Sequence, residues 1–276
     1  MRTSPFPHTV IDLTIREIRD PAAGGGALYL TRGEHSRTSS REGCLYTRKQ
    51  ERGIGMEAKR IKTAPPVLSA SLRDVEEGLA CLQEARREDM LVEQCRIKGL
   101  MAEEEDFYKI NLEGVVLENC TFLHCNFEKA SFIDVQFKNC DFSNSILDDC
   151  YFNRCEFLCV KGVGTDFHES LFKETRWEEC GLSFANFSGT RWEAASLSAC
   201  DMQESYLADC RFKKVDWQAM NLKRASFFHT SLKGMDLRGN EVEGIIVSEE
   251  KKELIGAVTD IYQAAELAKL MGLVIK

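Results

Sequence analysis

An all-β solenoid closed by a short C-terminal α-helix is the fold class predicted for this chain of 276 residues, and three observations predict it. From 107 to 242 every fifth residue is large and apolar at 27 of 28 positions, where the 43% hydrophobic composition would supply about 12. Two residues before these centres, 23 of 28 positions are Ala, Cys, Ser, Thr or Val. The register then fails at Lys252, and a helical apolar stripe follows Asp260. A period of five fits neither the 3.6 of an α-helix nor the 2 of a strand.

Residues 1–55 hold nine basic and six acidic side chains, the run Gly24-Gly25-Gly26 and no sustained period. They read as a disordered tail or an over-extended start, since Met56 opens a plausible beginning of its own. A functional basic arm or targeting peptide is the competing reading; mixed charge and the lack of an Arg-rich amphipathic helix disfavour it. Residues 56–91 are expected to form an N-terminal capping segment, with a helix over 71–87.

Residues 92–247 are expected to form the coil. If five residues make one side of a square turn, twenty complete it, with the large centre and the small residue two before it pointing inward and the other three outward. Residues 107–242 supply just under seven turns, a rod of roughly 33 Å at about 4.8 Å per turn. Cys120, Cys125, Ala130, Val135, Cys140, Ser145, Cys150 and Cys155 show the small inward position in one run, with Phe122, Phe127, Phe132, Phe137 and Phe142 among the centres. This pattern, A/C-(D/N)-L/F-x-x, closely resembles the pentapeptide-repeat family over 107–242, and Cys95-Arg96-Ile97 keeps the same register. The resemblance implies a right-handed quadrilateral β-helix; the spacing alone does not set the hand.

Residues 248–276 are read as a C-terminal cap. Asp260 is a good N-cap for a helix from 261 to about 271, with Gly272 as its stop. Ile261, Ala264, Ala265, Ala268 and Met271 form one stripe, with Leu267 and Leu270 beside it, and Leu273, Val274 and Ile275 follow. The ending is similar to that of bacterial pentapeptide-repeat proteins, which implies a homodimer built on Ile261, Ala265, Leu267, Ala268, Leu270, Met271, Leu273 and Ile275. A helix that only covers its own last coil is the alternative.

Nine of the 12 cysteines fall on the small inward position, where a thiol acts as a small hydrophobe, so no metal site, cofactor or disulfide is expected from them. The five histidines are scattered, and no nucleophile elbow, phosphate loop or metal-protease helix is present. An enzyme is not expected. Without a signal peptide or an 18-residue apolar run, the chain is expected in the cytoplasm with no membrane contact.

The net charge of -8 is unevenly placed: residues 103–209 hold 21 acidic and eight basic side chains, whereas 210–238 hold two and seven. One side of the coil is expected to display Asp106, Glu128, Asp148, Asp149, Asp166, Glu169 and Asp209. Regularly spaced carboxylates on a rod can imitate the phosphate rails of a duplex. Members of the family of the quinolone-resistance (Qnr) type are DNA mimics of this kind, so the resemblance implies a protein partner, DNA gyrase or topoisomerase IV, and no direct nucleic-acid contact. A solvated face on a rigid interaction scaffold is the alternative, and a nucleic-acid or membrane contact at the basic end is a third reading, disfavoured by the small size of the patch. Two features depart from mimicry: the unbroken register leaves no room for projecting loops, and Arg191, Arg211, Lys213, Lys214, Lys223, Arg224 and Lys233 form a basic patch. Gly162 replaces one core centre and is expected to mark a weak layer or hinge.

Overall fold

Parallel pairings offset by twenty residues run through the chain from Leu91 to Ile246, as the period of five requires. The computed structural model describes residues 13–18, 27–32 and 61–276. The chain forms two units, Met1–Met56 and Glu57–Lys276. In the first, strands Leu13–Ile18 and Ala27–Arg32 pair antiparallel; the rest of the expected tail lies outside the described residues.

The second unit is the expected right-handed quadrilateral β-helix of about seven turns. We number its sides by their centres: side 1 carries 107, 127 and onward to 227, side 2 starts at 112, side 3 at 117 and side 4 at 122. Sides 2 and 3 are parallel sheets of three-residue strands such as Ser131–Ile133 and Gln136–Lys138. The long strand Arg191–Ser198 spans both sides and joins their sheets. Side 1, and side 4 beyond its first strand pair, is built instead from β-turns linked by single bridges, with bonds such as Ala130 N–H to the Phe127 carbonyl at 2.9 Å.

The centres stack in columns along the axis. Phe132, Phe152, Phe172 and Trp192 lie 4.9, 4.9 and 4.2 Å apart by ring centroid, close to the parallel-strand spacing. The small inward position is also polar where it needs to be. Ser145, Ser170 and Thr230 hydroxyls and the Cys150 and Cys210 thiols each donate to the carbonyl 23 residues back, at 2.5–3.0 Å. Each such bond ties one turn to the previous one inside the core.

Every turn corner repeats one backbone state. All 31 residues at every fifth position from 94 to 244 have φ between 47° and 78°, and none of them is Val, Ile or Thr. A β-branched side chain is the worst fit to this left-handed region, so the absence is what sterics demand.

Both ends slip by two residues. Arg73 pairs with Cys95 and Asp236 with Val258, each offset by 22 rather than 20, because a cap is inserted into the turn. At the N-terminal end the insertion is α1, Gly78–Glu88; the strand Arg73–Val75 occupies the beginning of the expected helix because it pairs with Cys95–Ile97. Gly78 starts α1 against the sheet, where a Cβ would come 2.4 Å from Ile97 Cγ2. Ahead of it an extended strap crosses the coil, the Val67 N–H donating to Asp134 Oδ1 at 2.9 Å and the Ser69 N–H to Gln94 Oε1 at 3.0 Å.

At the other end the two extra residues lie between Ile246 and Glu253, and α2, Ile261–Lys269, follows, with Asp260 as the expected N-cap in a capping box completed by Gln263. The Gln263 side chain then plugs the last turn, donating to the carbonyls of Asn240, at 2.8 Å, and Leu237. Leu267 and Leu270 pack half-buried on the core.

One layer lacks its ladder. Among the described residues no backbone hydrogen bond joins Arg211–Gln218 to residues 231–238, although sides 1 and 4 remain bridged there. Residues 232–235 and 237–240 have switched to β-turns, Met235 N–H to Leu232 and Asn240 N–H to Leu237, and a turn presents its groups differently from the strand below it. This seam, rather than Gly162, is where the ladder is interrupted. At Gly162 the bond to Gly181 is intact at 2.8 Å, and an added Cβ would lie 3.1 Å from Leu182 Cδ2, which leans into the space a centre would fill.

Candidate functional site

The corner and bridge geometry brings the seven expected carboxylates to side 1. The bridged column 106, 126, 146, 166, 186, 206, 226, 246 fixes the position before each centre, and the two residues after each centre flank it. Glu128, Asp148, Asp149, Asp166 and Glu169 thus fall within three successive turns. Asp106 lies one turn toward the N-terminus, and Asp209 two turns beyond Glu169.

Their roles differ. The Asp106 and Asp166 Oδ1 atoms accept the N–H two residues on, at 3.1 and 3.0 Å, and an Asn amide from the next turn, Asn126 and Asn186, at 2.9 Å each. Asn221 and Asp201 repeat the arrangement on side 4 at 2.8 Å. The D/N of the repeat is therefore a turn cap and a rung between turns, which makes these two carboxylates structural. Asp149 and Glu169 are exposed at corners; Glu169 lies 3.8 Å from His168, and Glu128 pairs with Lys129 at 2.5 Å. One Asp148 oxygen, Oδ1, is buried without a hydrogen-bond partner among the described residues. Burial raises the Asp148 pKa, opposed by His168 and reinforced by Asp166. Asp209 lies 3.5 Å from His229. The arrangement can present negative charge to a cationic surface.

The C-terminal stretch of this face is different. Tyr206, Phe228 and Ile246 are exposed on side 1, and Phe184 at the corner leading into it. These apolar residues occupy outward positions, so a count of large residues off the inward register would have found them; counting only the centres passed over them.

The basic patch expected from sequence divides between opposite sides. Arg191, Arg211, Lys213, Lys214 and Lys233 lie on side 2 and are exposed. Lys223 and Arg224 lie on side 4, paired with Glu241 at 2.7 Å and Glu204 at 3.7 Å.

The helix residues divide as well. Ile261, Met271, Leu273 and Ile275 are exposed, with Tyr262 and Val274, whereas Ala265, Leu267, Ala268 and Leu270 are half-buried against their own last turn. No disulfide joins the eleven described cysteines. Burial pushes the Cys155 thiol up to about 12 and the Cys210 thiol to about 11, so both stay protonated. Among the described residues no three His, Cys, Asp or Glu side chains form a metal-holding group, and no helix is long and apolar enough to cross a membrane.

The sequence matches the profile described as "Pentapeptide repeat region" at 130–205 and 172–246, and that described as "Pentapeptide repeats (8 copies)" at 110–149. No curated protein sequence matches it significantly. Among solved structures, it is similar to a trypsin-treated form of QnrB1, a plasmid-mediated fluoroquinolone resistance protein, at 20% identity and a TM-score of 0.41, covering 67% of this chain and 97% of that one. It is also similar to HetL, a protein involved in heterocyst differentiation regulation from the cyanobacterium Nostoc sp. strain PCC 7120, at 15% identity and a TM-score of 0.23, covering 67% and 97%.

Proposed function

This chain belongs to the pentapeptide-repeat family, and from that premise we propose that it is a non-enzymatic, cytoplasmic protein whose acidic side 1 binds a type II topoisomerase, DNA gyrase, in place of duplex DNA. The observation that carries this reading is the cluster of Glu128, Asp148, Asp149, Asp166 and Glu169 within three turns of one side. With turns about 4.8 Å apart, these charges form a rigid negative strip that a basic DNA-binding saddle would meet without reordering it.

Purified protein added to gyrase supercoiling reactions, with and without a fluoroquinolone, tests the proposal. Inhibition or drug protection is expected, weakened and less salt-sensitive in Glu128→Lys, Asp149→Lys and Glu169→Lys. Asp166 is left out of the set because it caps a turn. A supercoiling reaction indifferent to excess wild-type protein would remove the topoisomerase.

The structural duties of Asp106 and Asp166, together with exposed Tyr206 and Phe228, favour a second reading, a rigid scaffold for another protein whose contact combines cationic and apolar groups. We further propose a homodimer through exposed Ile261, Met271, Leu273 and Ile275, with Leu267 and Leu270 holding α2 in place. Met271→Asp with Ile275→Asp is expected to halve the mass measured by light scattering; an unchanged mass would place the interface elsewhere or show a monomer throughout.

A further inference from the structure

Side 2 carries a basic strip that the acidic side 1 does not explain. Lys173, Arg191, Arg211, Lys213, Lys214 and Lys233 are all exposed and occupy four successive turns, about 14 Å along the axis. Arg191 and Arg211 are direct partners in the parallel ladder, two like charges facing outward from adjacent strands. Such a pairing is destabilising in isolation. The counter-ions within the strip are few. Lys213 lies 3.5 Å from Glu193, while Lys173, Arg191, Arg211, Lys214 and Lys233 make no ion pair among the described residues. Elsewhere on the rod most cations among the described residues are paired: Arg154, Lys161, Arg176, Lys223 and Arg224 each have a carboxylate within 4 Å, and the exceptions, Lys109 and Lys138, are isolated rather than gathered in a strip.

Edge protection accounts for part of the strip. Among the described residues Arg211–Gln218 has no ladder partner on its C-terminal side, and lysines on an unpaired edge discourage pairing with other chains. It does not account for Lys173 and Arg191, whose strands are paired on both sides. The unpaired guanidinium and ammonium groups therefore call for an external anion that is extended, rigid and repeated along one direction.

From this we infer that side 2 is a docking strip for the phosphate backbone of duplex nucleic acid. Over about 14 Å of axis a duplex carries about eight phosphates on its two strands together, at one charge per ~1.7 Å, more than the cations of the strip can neutralise. The carboxylate cluster on side 1 sits around a corner and centred toward the other end, and at physiological salt a Debye length of about 8 Å screens much of its repulsion. An anionic membrane fits less well, because none of the exposed large apolar side chains lies within the strip to enter a bilayer. The inference stands apart from the topoisomerase reading, takes up the basic-end contact that the sequence offered as its third reading, and proposes duplex nucleic acid against the expectation of no direct contact.

Fluorescence anisotropy of the full chain with a labelled DNA duplex of about two helical turns tests it. With four phosphate contacts, log affinity should fall against log salt with a slope of about -3.6, a loss of roughly 100-fold between about 50 and 200 mM. Arg191→Glu, Arg211→Glu and Lys214→Glu together should cost at least about 10-fold at the lower salt and flatten the slope, while Asp149→Asn with Glu169→Gln should leave binding as strong or stronger. If the triple variant loses its circular dichroism signal, Lys214→Gln with Lys233→Gln should still reduce the slope by about 1 to 2. A folded charge variant that binds like the wild type, or a wild type that fails to bind at the lower salt, overturns the inference. Sedimentation with phosphatidylserine-containing vesicles but no anisotropy change overturns it in favour of a membrane.

Discussion

Arg154 grips Asp134 of the preceding turn at two points, Nε to Oδ1 at 2.7 Å and Nη2 to Oδ2 at 2.6 Å, beneath the N-terminal strap. Burial alone would raise the Asp134 carboxyl, yet the Arg154 guanidinium and the Val67 N–H hold it below the ordinary range. A depressed folded pKa contributes stability that is full above the unfolded value, near 3.9, and is lost as pH falls through the folded one. Asp134→Asn should therefore cost about 2–3 kcal/mol at neutral pH and little at the lowest pH at which the protein remains folded. Urea melts across that range check it; an equal cost at both ends would remove the ion pair from the account.

The left-handed corners predict opposite effects for two small changes at one residue. Ala199 is exposed with φ of 52°. Ala199→Gly should be neutral or stabilising by up to about 1 kcal/mol, and Ala199→Val should destabilise by about 1–2 kcal/mol. Paired thermal melts suffice, and a Val variant as stable as wild type would contradict the corner geometry.

The seam predicts uneven amide protection. Ala199 and Arg211 donate to the neighbouring turn at 2.9 Å each, while Ala219 and Ser231, twenty residues later, have no such bond among the described residues. Hydrogen exchange should be at least about 10-fold faster at Ala219 and Ser231. Equal protection at all four would mean that the ladder continues.

Gly162, which the sequence reads as a weak layer or hinge, has close neighbours that a side chain would crowd. Gly162→Ala brings a methyl within 3.0 Å of Thr165 Oγ1 and 3.1 Å of Leu182 Cδ2, so a loss of about 1–2 kcal/mol is expected on chemical unfolding. A stabilised variant would restore the reading of a loose layer.

Thiol chemistry separates inward from outward cysteines. Cys159 is exposed and Cys81 partly so, whereas Cys95, Cys120, Cys125, Cys140, Cys150, Cys155, Cys180, Cys200 and Cys210 are buried. Of these eleven, only Cys159 and Cys81 should react with a thiol reagent in the native protein, and the rest only in denaturant. Mass mapping that found Cys150 or Cys155 labelled without denaturant would contradict the packing.

The coil was legible because its interior obeys one rule: Phe132 and Phe152 sit twenty residues apart in sequence and 4.9 Å apart in space. What stayed hidden depends on the backbone. Which sides are strands and which are turns is decided by corner and cap geometry, so neither the seam after Gln218 nor the slip at Val258 shows in the apolar period. The corner rule could have been read, since no β-branched residue occurs at every fifth position from 94 to 244. The seven carboxylates fall on side 1, but charge alone does not reveal that Asp106 and Asp166 are occupied with Asn126 and Asn186.

The four-sided turn also sets a rule for insertions and deletions. Losing twenty residues from the middle of the coil shortens the rod by one layer and returns every later side chain to its original side. Losing five keeps the core register equally well but turns everything downstream by a quarter revolution, carrying Arg191 and Arg211 from side 2 to side 1, in line with Asp166. Change in this fold is thus quantised, with one step size that preserves the interior and a larger one that also preserves which surface faces which partner.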